Sequence, residues 1–524
     1  MKTDVIVVGG GLAGILAVYG AQSEGAKVTL IDRGSIGIGT NSALAGGLFS
    51  SPTSSYGAEE YVRDTLEIGR TINRESAVHV LANEAPKAFE FLRSLGLNVT
   101  ESQKIYYSVQ SPRPEILPGM IMMKRLAQAV RELRNTHMLT GFYVTEIIKD
   151  GNKVCGVKGF DKTGKELSIY APAVVLAAGG AGGVYLRNDN QRNMLGQGYH
   201  LAARAGLDLW DMEFVQFIPI VMAEPHLPTW LLQSPFPQEA KLIDASGKDV
   251  LQKFGIDNLN YAVRNRRDEL SILLFEEGRN GPVFMDYRNV PASAWEVRPL
   301  SLLKRIKFDF RTKPVTISPA AHFCMGGVET DDDGQTSLPG LFASGEVAWG
   351  VHGANRRGGN ALTECMVFGR LSGYNAARYA LVNPLSSVRT NAVRADSEAA
   401  DSTPSLLLRK LLQRVREIAW DHTGVVRSES GLKEGLIKIE EAIGGVRRTN
   451  YGSLPARVLR EDLVSACFVV KAVLTASLAR EESRGSFYRK DFASQDDVNW
   501  RRNSCLQYNA KYGTFALTSR TPDG

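Results

Sequence analysis

Cysteine is scarce in this chain. The five cysteines (155, 324, 365, 467 and 505) among 524 residues form no C-x-x-C pair and no C-x-x-C-H. That removes any sequence basis for an iron–sulfur cluster, a structural zinc, an attached haem or a disulfide framework, and it fits a reducing compartment. No metal-ligand set is expected. Charge of one sign is also in short supply: 62 Lys and Arg stand against 56 Asp and Glu, a formal +6. Over this length such an excess does not argue for nucleic acid or a membrane surface as partner. Long apolar runs are interrupted, Tyr170–Leu186 by Pro and Gly and Leu463–Ala479 by Lys471, so no direct membrane span is expected. No charged leader precedes the first apolar stretch, so a secretory signal is not expected either. The expected location is the cytoplasm, with any membrane association left to a partner protein. Apolar content of 44% and charged content of 23% are ordinary for a soluble globular protein, and the length allows two to four domains.

What is present begins at the N-terminus. Asp4-Val-Ile-Val-Val8 has the β-branched, all-apolar pattern of a buried parallel strand. Gly9-Gly-Gly11-Leu-Ala-Gly14 follows, then a helical stretch to about Ser23, then Val28-Thr-Leu-Ile-Asp32. A G-x-G-x-x-G alone says little. Between a strand and a helix, with an acid ending the second strand, it marks a dinucleotide site. The glycines let a pyrophosphate reach the helix N-terminus, and Asp32 suits a ribose hydroxyl. Gly9, Gly11, Leu12, Ala13, Gly14, Asp32 and Arg33 are therefore candidate cofactor residues. Gly34–Ser50, rich in Gly, Ser and Ala, reads as a loop against the cofactor and adds Thr40, Asn41, Ala45, Gly46 and Gly47. Residues 58–95 carry helical patterning, Phe142–Leu167 reads as a strand meander, and Ala173–Ala178 as a buried strand that adds Ala178 and Gly179.

A second concentration of chemistry lies at His322-Phe-Cys-Met-Gly-Gly-Val-Glu-Thr-Asp331, Gly340-Leu-Phe-Ala-Ser-Gly-Glu346 and His352-Gly-Ala-Asn-Arg-Arg-Gly-Gly-Asn-Ala-Leu362. Glycines where backbone must approach a ligand, with arginines able to grip a carboxylate by two parallel bonds, suit a site for a cofactor and an acid. Between these concentrations the style changes: Pro225, Pro228, Pro235 and Pro237 punctuate a loop, and Asn265-Arg-Arg-Asp268 opens a helix with Asp268 as expected N-cap. Residues 383–405, rich in Ser, Ala and Asp, read as a linker. Beyond it Leu408, Leu411, Leu412, Val415 and Ile418, then Leu432, Leu436, Ile439 and Ile443, fall at helical spacing. The expected organisation is thus residues 1–220 and 319–382 as a discontinuous Rossmann-like α/β domain, 221–318 as an inserted α+β capping domain, and 406–524 as a helical C-terminal domain.

With these motifs in view, the chain resembles the flavoprotein family of succinate dehydrogenase, fumarate reductase and L-aspartate oxidase. The resemblance spans nearly the whole length, through Val7–Gly14, Ala177–Tyr185, Gly196–Phe217, Arg267-Asp268, Ala321–Asp331, Gly340–Glu346, His352–Arg370 and Arg480–Trp500. It implies FAD as cofactor, with Gln197, Glu346 and the backbone of Asn360, Ala361 and Leu362 near the flavin. It implies that His322 and Arg356 hold a substrate carboxylate and that Arg267 delivers a proton. On residue type alone, Arg264–Arg267 would read as a solvated charge run and Arg356 would be indistinguishable from Arg357. Arg484, Arg489 and Asp491 are expected to form an ion-paired structural seam against the FAD domain.

The departures point to a changed substrate. Members with covalently attached flavin carry a His where this chain has Thr40, so non-covalent FAD is expected. The second half of the family's acid site is missing: Ile218 replaces its His, and Leu232, Gln233 and Phe236 replace Thr, Glu and the second Arg. The expected enzyme is an FAD-dependent oxidoreductase that moves hydride between flavin N5 and the C=C or C–C bond beside one carboxylate. Its substrate would carry an apolar group at the other end, and a separate iron–sulfur, flavin or quinone-linked protein would exchange the electrons. The alternatives are an amino-acid oxidase resembling L-aspartate oxidase, and an electron-transfer or assembly flavoprotein whose substrate site has decayed. Glu224, His226 and Asp268 are open candidates for the lost proton relay.

Overall fold

The computed structural model describes residues 3–385, 403–449 and 452–522. Val5–Val8 is buried along its whole length, as a strand covered on both faces must be. It lies at the centre of a five-stranded parallel sheet ordered Leu341–Ala343, Ala173–Leu176, Val5–Val8, Val28–Asp32, Thr136–Thr140. The edge strand from beyond residue 340 makes the domain discontinuous, as expected. Helix Leu12–Ser23 packs against helix Asn360–Val382, so the two halves of the chain share one core. Their separation is set by small residues: a Cβ on Gly373 would lie 1.9 Å from the Ala17 carbonyl oxygen.

The expected meander forms as three antiparallel strands, Tyr143–Asp150, Lys153–Phe160 and Glu166–Tyr170. The capping unit is an antiparallel sheet ordered Trp230–Leu231, Val215–Met222, Val315–Cys324, Val283–Asp286, Lys241–Ile243. Its apolar core draws on residues from Ile220 to Ile317. The boundary falls inside two continuous strands: Val215 and Phe217 pack in the core of the FAD domain, whereas Ile220 and Met222 pack in the cap. Two strands that belong to both units hold the cap in register over the cofactor domain.

One capping expectation is corrected. The helix begins at Arg267 and Arg266 occupies the N-cap position, so Asp268 lies in the first turn. There a carboxylate is favoured by the helix dipole instead of by a cap hydrogen bond. The linker at 383–405 lies mostly outside the described residues. Helices Thr403–Thr423, Glu429–Arg447 and Leu454–Ala479 form the C-terminal bundle. The bundle is followed by a hairpin, Asn503–Asn509 with Thr514–Arg520, which pairs with Leu209–Trp210 of the FAD domain. The C-terminal region is therefore helical only to Ala479. Helix Leu454–Ala479 is long and apolar enough to cross a bilayer, yet 72% of its apolar window is buried inside the protein. Lys471, expected to break this run, reaches the Gly513 carbonyl at 2.7 Å and pairs with Glu440.

Candidate functional site

A cleft opens where the parallel strands end. Gly9, Gly11, Leu12, Ala13, Asp32, Arg33, Thr40, Asn41, Ala178, Gly179, Gln197 and Glu346 all line it. Gly14 does not line it but lets the helix start there: a Cβ would lie 1.8 Å from the Gly9 carbonyl oxygen. The N-cap Gly11 has no side-chain cap, so the helix presents N–H groups and its positive end to the cleft. Asp32 accepts the Gly10 N–H at 2.7 Å and the Gly34 N–H at 2.6 Å. This donor set, with a carboxylate beside it, fits the pyrophosphate and ribose of a dinucleotide.

Several candidates stand differently from the sequence expectation. Arg33 lines the cleft, but its guanidinium is held by Asp462 through two bonds of 2.6 Å and stacks 4.7 Å from the Tyr143 ring. It ties the C-terminal bundle to the FAD domain. Ala45, Gly46 and Gly47 are not among the lining residues. A Cβ on Gly46 would lie 3.7 Å from the amide of Gln233, so this loop meets the cap. Asn360, Ala361 and Leu362 open their helix without lining the cleft, and Asn360 accepts the Tyr61 hydroxyl at 2.8 Å. Thr40 donates to the Gly37 carbonyl at 2.6 Å, Asn41 to Asn190 at 2.6 Å, and Gln197 to the Val144 carbonyl at 2.6 Å. Glu346 sits at the inner end, where burial pushes its carboxyl up to about 7. It accepts the Cys324 N–H at 3.0 Å, which puts strand Val315–Cys324, and with it His322, beside the cleft.

Around that strand three functional groups converge. His322 Nδ1 lies 2.8 Å from Asp189 Oδ2. Arg356 is buried, donates twice to Gln216 Oε1 at 3.1 and 2.6 Å, and stacks 4.7 Å from the Phe323 ring. Burial, with Arg267 second, lowers its guanidinium to about 10. Arg267 donates to the Arg356 carbonyl at 3.3 Å and to Asn355 Oδ1, while Asn355 in turn donates to Asp268 at 2.7 Å. Neutral amides thus bridge the two cations. Among the described residues no carboxylate forms an ion pair with Arg356, and Arg267 has only Asp268 at 3.5 Å.

The neighbouring arginine goes elsewhere. Arg357 donates to the Tyr56 hydroxyl at 2.7 Å and lies over the rings of Tyr56 and Tyr61. Three of the four substituted positions are apolar and buried: Ile218 packs with Val221 and Ala320, and Leu232 and Phe236 belong to the core of the cap, whereas Gln233 is polar and half-buried against the Gly46 loop. Glu224 accepts the Thr316 N–H at 3.0 Å, His226 is exposed, and only Asp268 joins the arginine network. Sequence reasoning missed Asp189, Gln216 and Asn355. Gln216 had one signal, a polar residue inside a strand otherwise apolar and buried.

A buried ionic seam closes the domain interface. Arg480 donates to Glu213 at 2.7 Å and Glu482 at 2.8 Å, and Arg484 to Glu482 at 2.7 Å and to the Arg70 carbonyl at 3.0 Å, whereas Arg489 pairs with Asp491 at 2.7 Å within the C-terminal region itself.

Comparison with known proteins agrees with this architecture. The family model described as FAD binding domain matches residues 4–362, and that described as Fumarate reductase flavoprotein C-term matches residues 412–522. The chain belongs to this flavoprotein family. It is 30% identical to an L-aspartate oxidase of Streptomyces coelicolor, over 100% of this chain and 94% of the other. It is 28% identical to one subunit of the fumarate reductase (CoM/CoB) of Methanothermobacter marburgensis, over 96% of this chain and 97% of the other. Among solved structures, E. coli quinol fumarate reductase FrdA matches with a TM-score of 0.85 at 24% identity, covering 99% of this chain and 97% of that one. At that identity the match speaks for the fold. The protein is an FAD-dependent oxidoreductase of the fumarate reductase, succinate dehydrogenase and L-aspartate oxidase type.

Proposed function

We propose that the enzyme adds or removes the elements of H₂ across the carbon–carbon bond next to a single carboxylate. One observation carries this reading: Arg356 is a buried guanidinium with amide and carbonyl partners and no ion-paired carboxylate among the described residues. A buried cation left in that state is costly, and an anionic substrate group supplies the missing partner. His322 and Arg356 hold that carboxylate and stabilise the charge that develops on it, and Arg267 exchanges the proton at the α-carbon. Asp268 connects Arg267 to solvent. Bound FAD supplies the hydride chemistry; the side chains supply orientation and charge.

The far end of the substrate is apolar in this reading, because Ile218, Leu232 and Phe236 offer no hydrogen bond. A second carboxylate there would forfeit several kcal/mol of hydration, and each ~1.4 kcal/mol is a tenfold loss. The dithionite-reduced holoenzyme should therefore be reoxidised faster by crotonate or a longer mono-acid enoate than by fumarate. Fumarate as the fastest oxidant would defeat this assignment. Release of hydrogen peroxide with an amino acid would favour the oxidase reading suggested by the L-aspartate oxidase relatives.

Thr40 offers no imidazole for flavin attachment, so FAD is held non-covalently. The enzyme exchanges electrons with a separate protein in the cytoplasm and reaches a membrane only through that partner. Acid precipitation should release one FAD per chain into the supernatant and no iron. Flavin fluorescence retained on the precipitated polypeptide would contradict this.

A further inference from the structure

His322 carries a neighbour that neither its own motif nor the arginine network accounts for. Asp189 stands in the loop that follows Gly182–Val184 and is itself largely buried, with 10% of its side chain exposed. Both its oxygens approach His322 Nδ1, at 2.8 and 3.1 Å. The loop is held to the same strand from the other side. Asn190 Nδ2 donates to the Ala321 and His322 carbonyls at 3.2 and 3.3 Å, and the Ala321 N–H donates to the Arg187 carbonyl at 3.0 Å. The carboxylate is thus fixed relative to the histidine by backbone bonds on both sides of the pair. His322 Nε2 has no hydrogen-bond partner among the described residues, and 28% of the side chain is open to solvent.

We infer that Asp189 is a positioning residue that fixes the tautomer of His322. An ionised carboxylate accepts and does not donate, so the hydrogen between the two groups is on Nδ1. Nε2 is then the ring atom turned to substrate, and it meets the oxygen of the acid that Arg356 grips. A carboxylate behind a histidine sets the ring orientation and keeps the wrong nitrogen from carrying the hydrogen. Of the charged groups near the pair, Arg356 and Glu346 both feel Asp189. Neither is bonded to it; besides His322 its carboxylate accepts only the longer bond from Asn190 Nδ2, at 3.4 Å, among the described residues.

This inference rests on the acid-site reading given above, and the experiment separates the two. Holoenzyme labelled with ¹⁵N-histidine reports which ring nitrogen of His322 carries the hydrogen, the signal being assigned with His322→Gln. Reoxidation of the dithionite-reduced holoenzyme by crotonate and by fumarate reports the chemistry. In Asp189→Asn the amide can donate to Nδ1. The expected result is a signal that moves to the Nε2-protonated form and a reoxidation rate at saturating acid that falls ~10- to 10²-fold, with the visible spectrum of bound FAD unchanged. Asp189→Glu should restore both signal and rate in large part. An unchanged tautomer, an unchanged rate, or equal loss in Asp189→Asn and Asp189→Glu with altered FAD absorption overturns the inference alone. If neither acid reoxidises the unaltered holoenzyme, the acid-site reading fails and this inference falls with it.

Discussion

Arg356→Ala is expected to lower the rate of flavin reoxidation by a carboxylic acid ~10²- to 10³-fold, while leaving FAD bound and reducible by dithionite. The size follows from what the guanidinium does. It is buried against Phe323, is held by Gln216, and has no carboxylate of its own among the described residues. Removing a preorganised charged donor from a substrate oxygen costs roughly 2.7–4 kcal/mol of transition-state stabilisation. Lysine should not rescue the loss, because a point charge cannot reproduce the fork that Gln216 orients. Arg267→Ala should slow the same step with little effect on acid affinity, since its role lies in proton exchange and not in holding the acid. Stopped-flow reoxidation with crotonate, fitted for affinity and limiting rate, checks both. Undiminished limiting rate in Arg267→Ala would remove it from the proton route. An Arg356→Ala enzyme with unchanged acid affinity and rate would mean the carboxylate is held elsewhere.

The second large effect is on stability. Glu213→Ala is expected to destabilise the chain by ~3–5 kcal/mol, the usual outcome when one member of a buried ion pair is removed and the other stays behind. Glu213 is fully buried, accepts Arg480 at 2.7 Å and also takes the Ser504 hydroxyl at 2.6 Å. Its loss leaves Arg480, itself 1% exposed, with Glu482 as remaining acid. The seam joins the strand that leads to the cap with the segment that follows the C-terminal bundle, so FAD affinity should fall together with stability. The exposed pair Lys87–Glu84 is the comparison: Glu84→Ala should cost under about 1 kcal/mol. Urea unfolding, followed by flavin release and by far-ultraviolet circular dichroism, measures both. Equal effects of the two substitutions would show the seam to be energetically inert.

The amino-acid sequence by itself determined the dinucleotide fold, because its signals are local. An all-apolar strand, a glycine turn, a helix and a terminal Asp32 occupy consecutive positions, and each residue type answers a steric or hydrogen-bonding need visible within about thirty residues. It also determined the discontinuity of the domain and two helices of the C-terminal core, through apolar spacing at Leu408, Val415, Leu432 and Ile439. That Ile218 and Leu232 bring no hydrogen-bonding group to their positions was legible as well, since their side chains are apolar.

Tertiary structure decided which polar groups meet. Asp189 and His322 are 133 positions apart, Gln216 and Arg356 are 140 apart, and Arg33 and Asp462 are 429 apart. No periodicity links such residues, and a hydrogen bond depends on a few tenths of an ångström that only the packed sheets fix. The same packing turned Arg357 toward Tyr56 and Arg356 toward Gln216, although the two residues are adjacent in the chain. It also paired the guanidinium of Arg33, a residue that lines the cleft, with Asp462, because a helix more than four hundred residues downstream brings a buried carboxylate within reach of its fork.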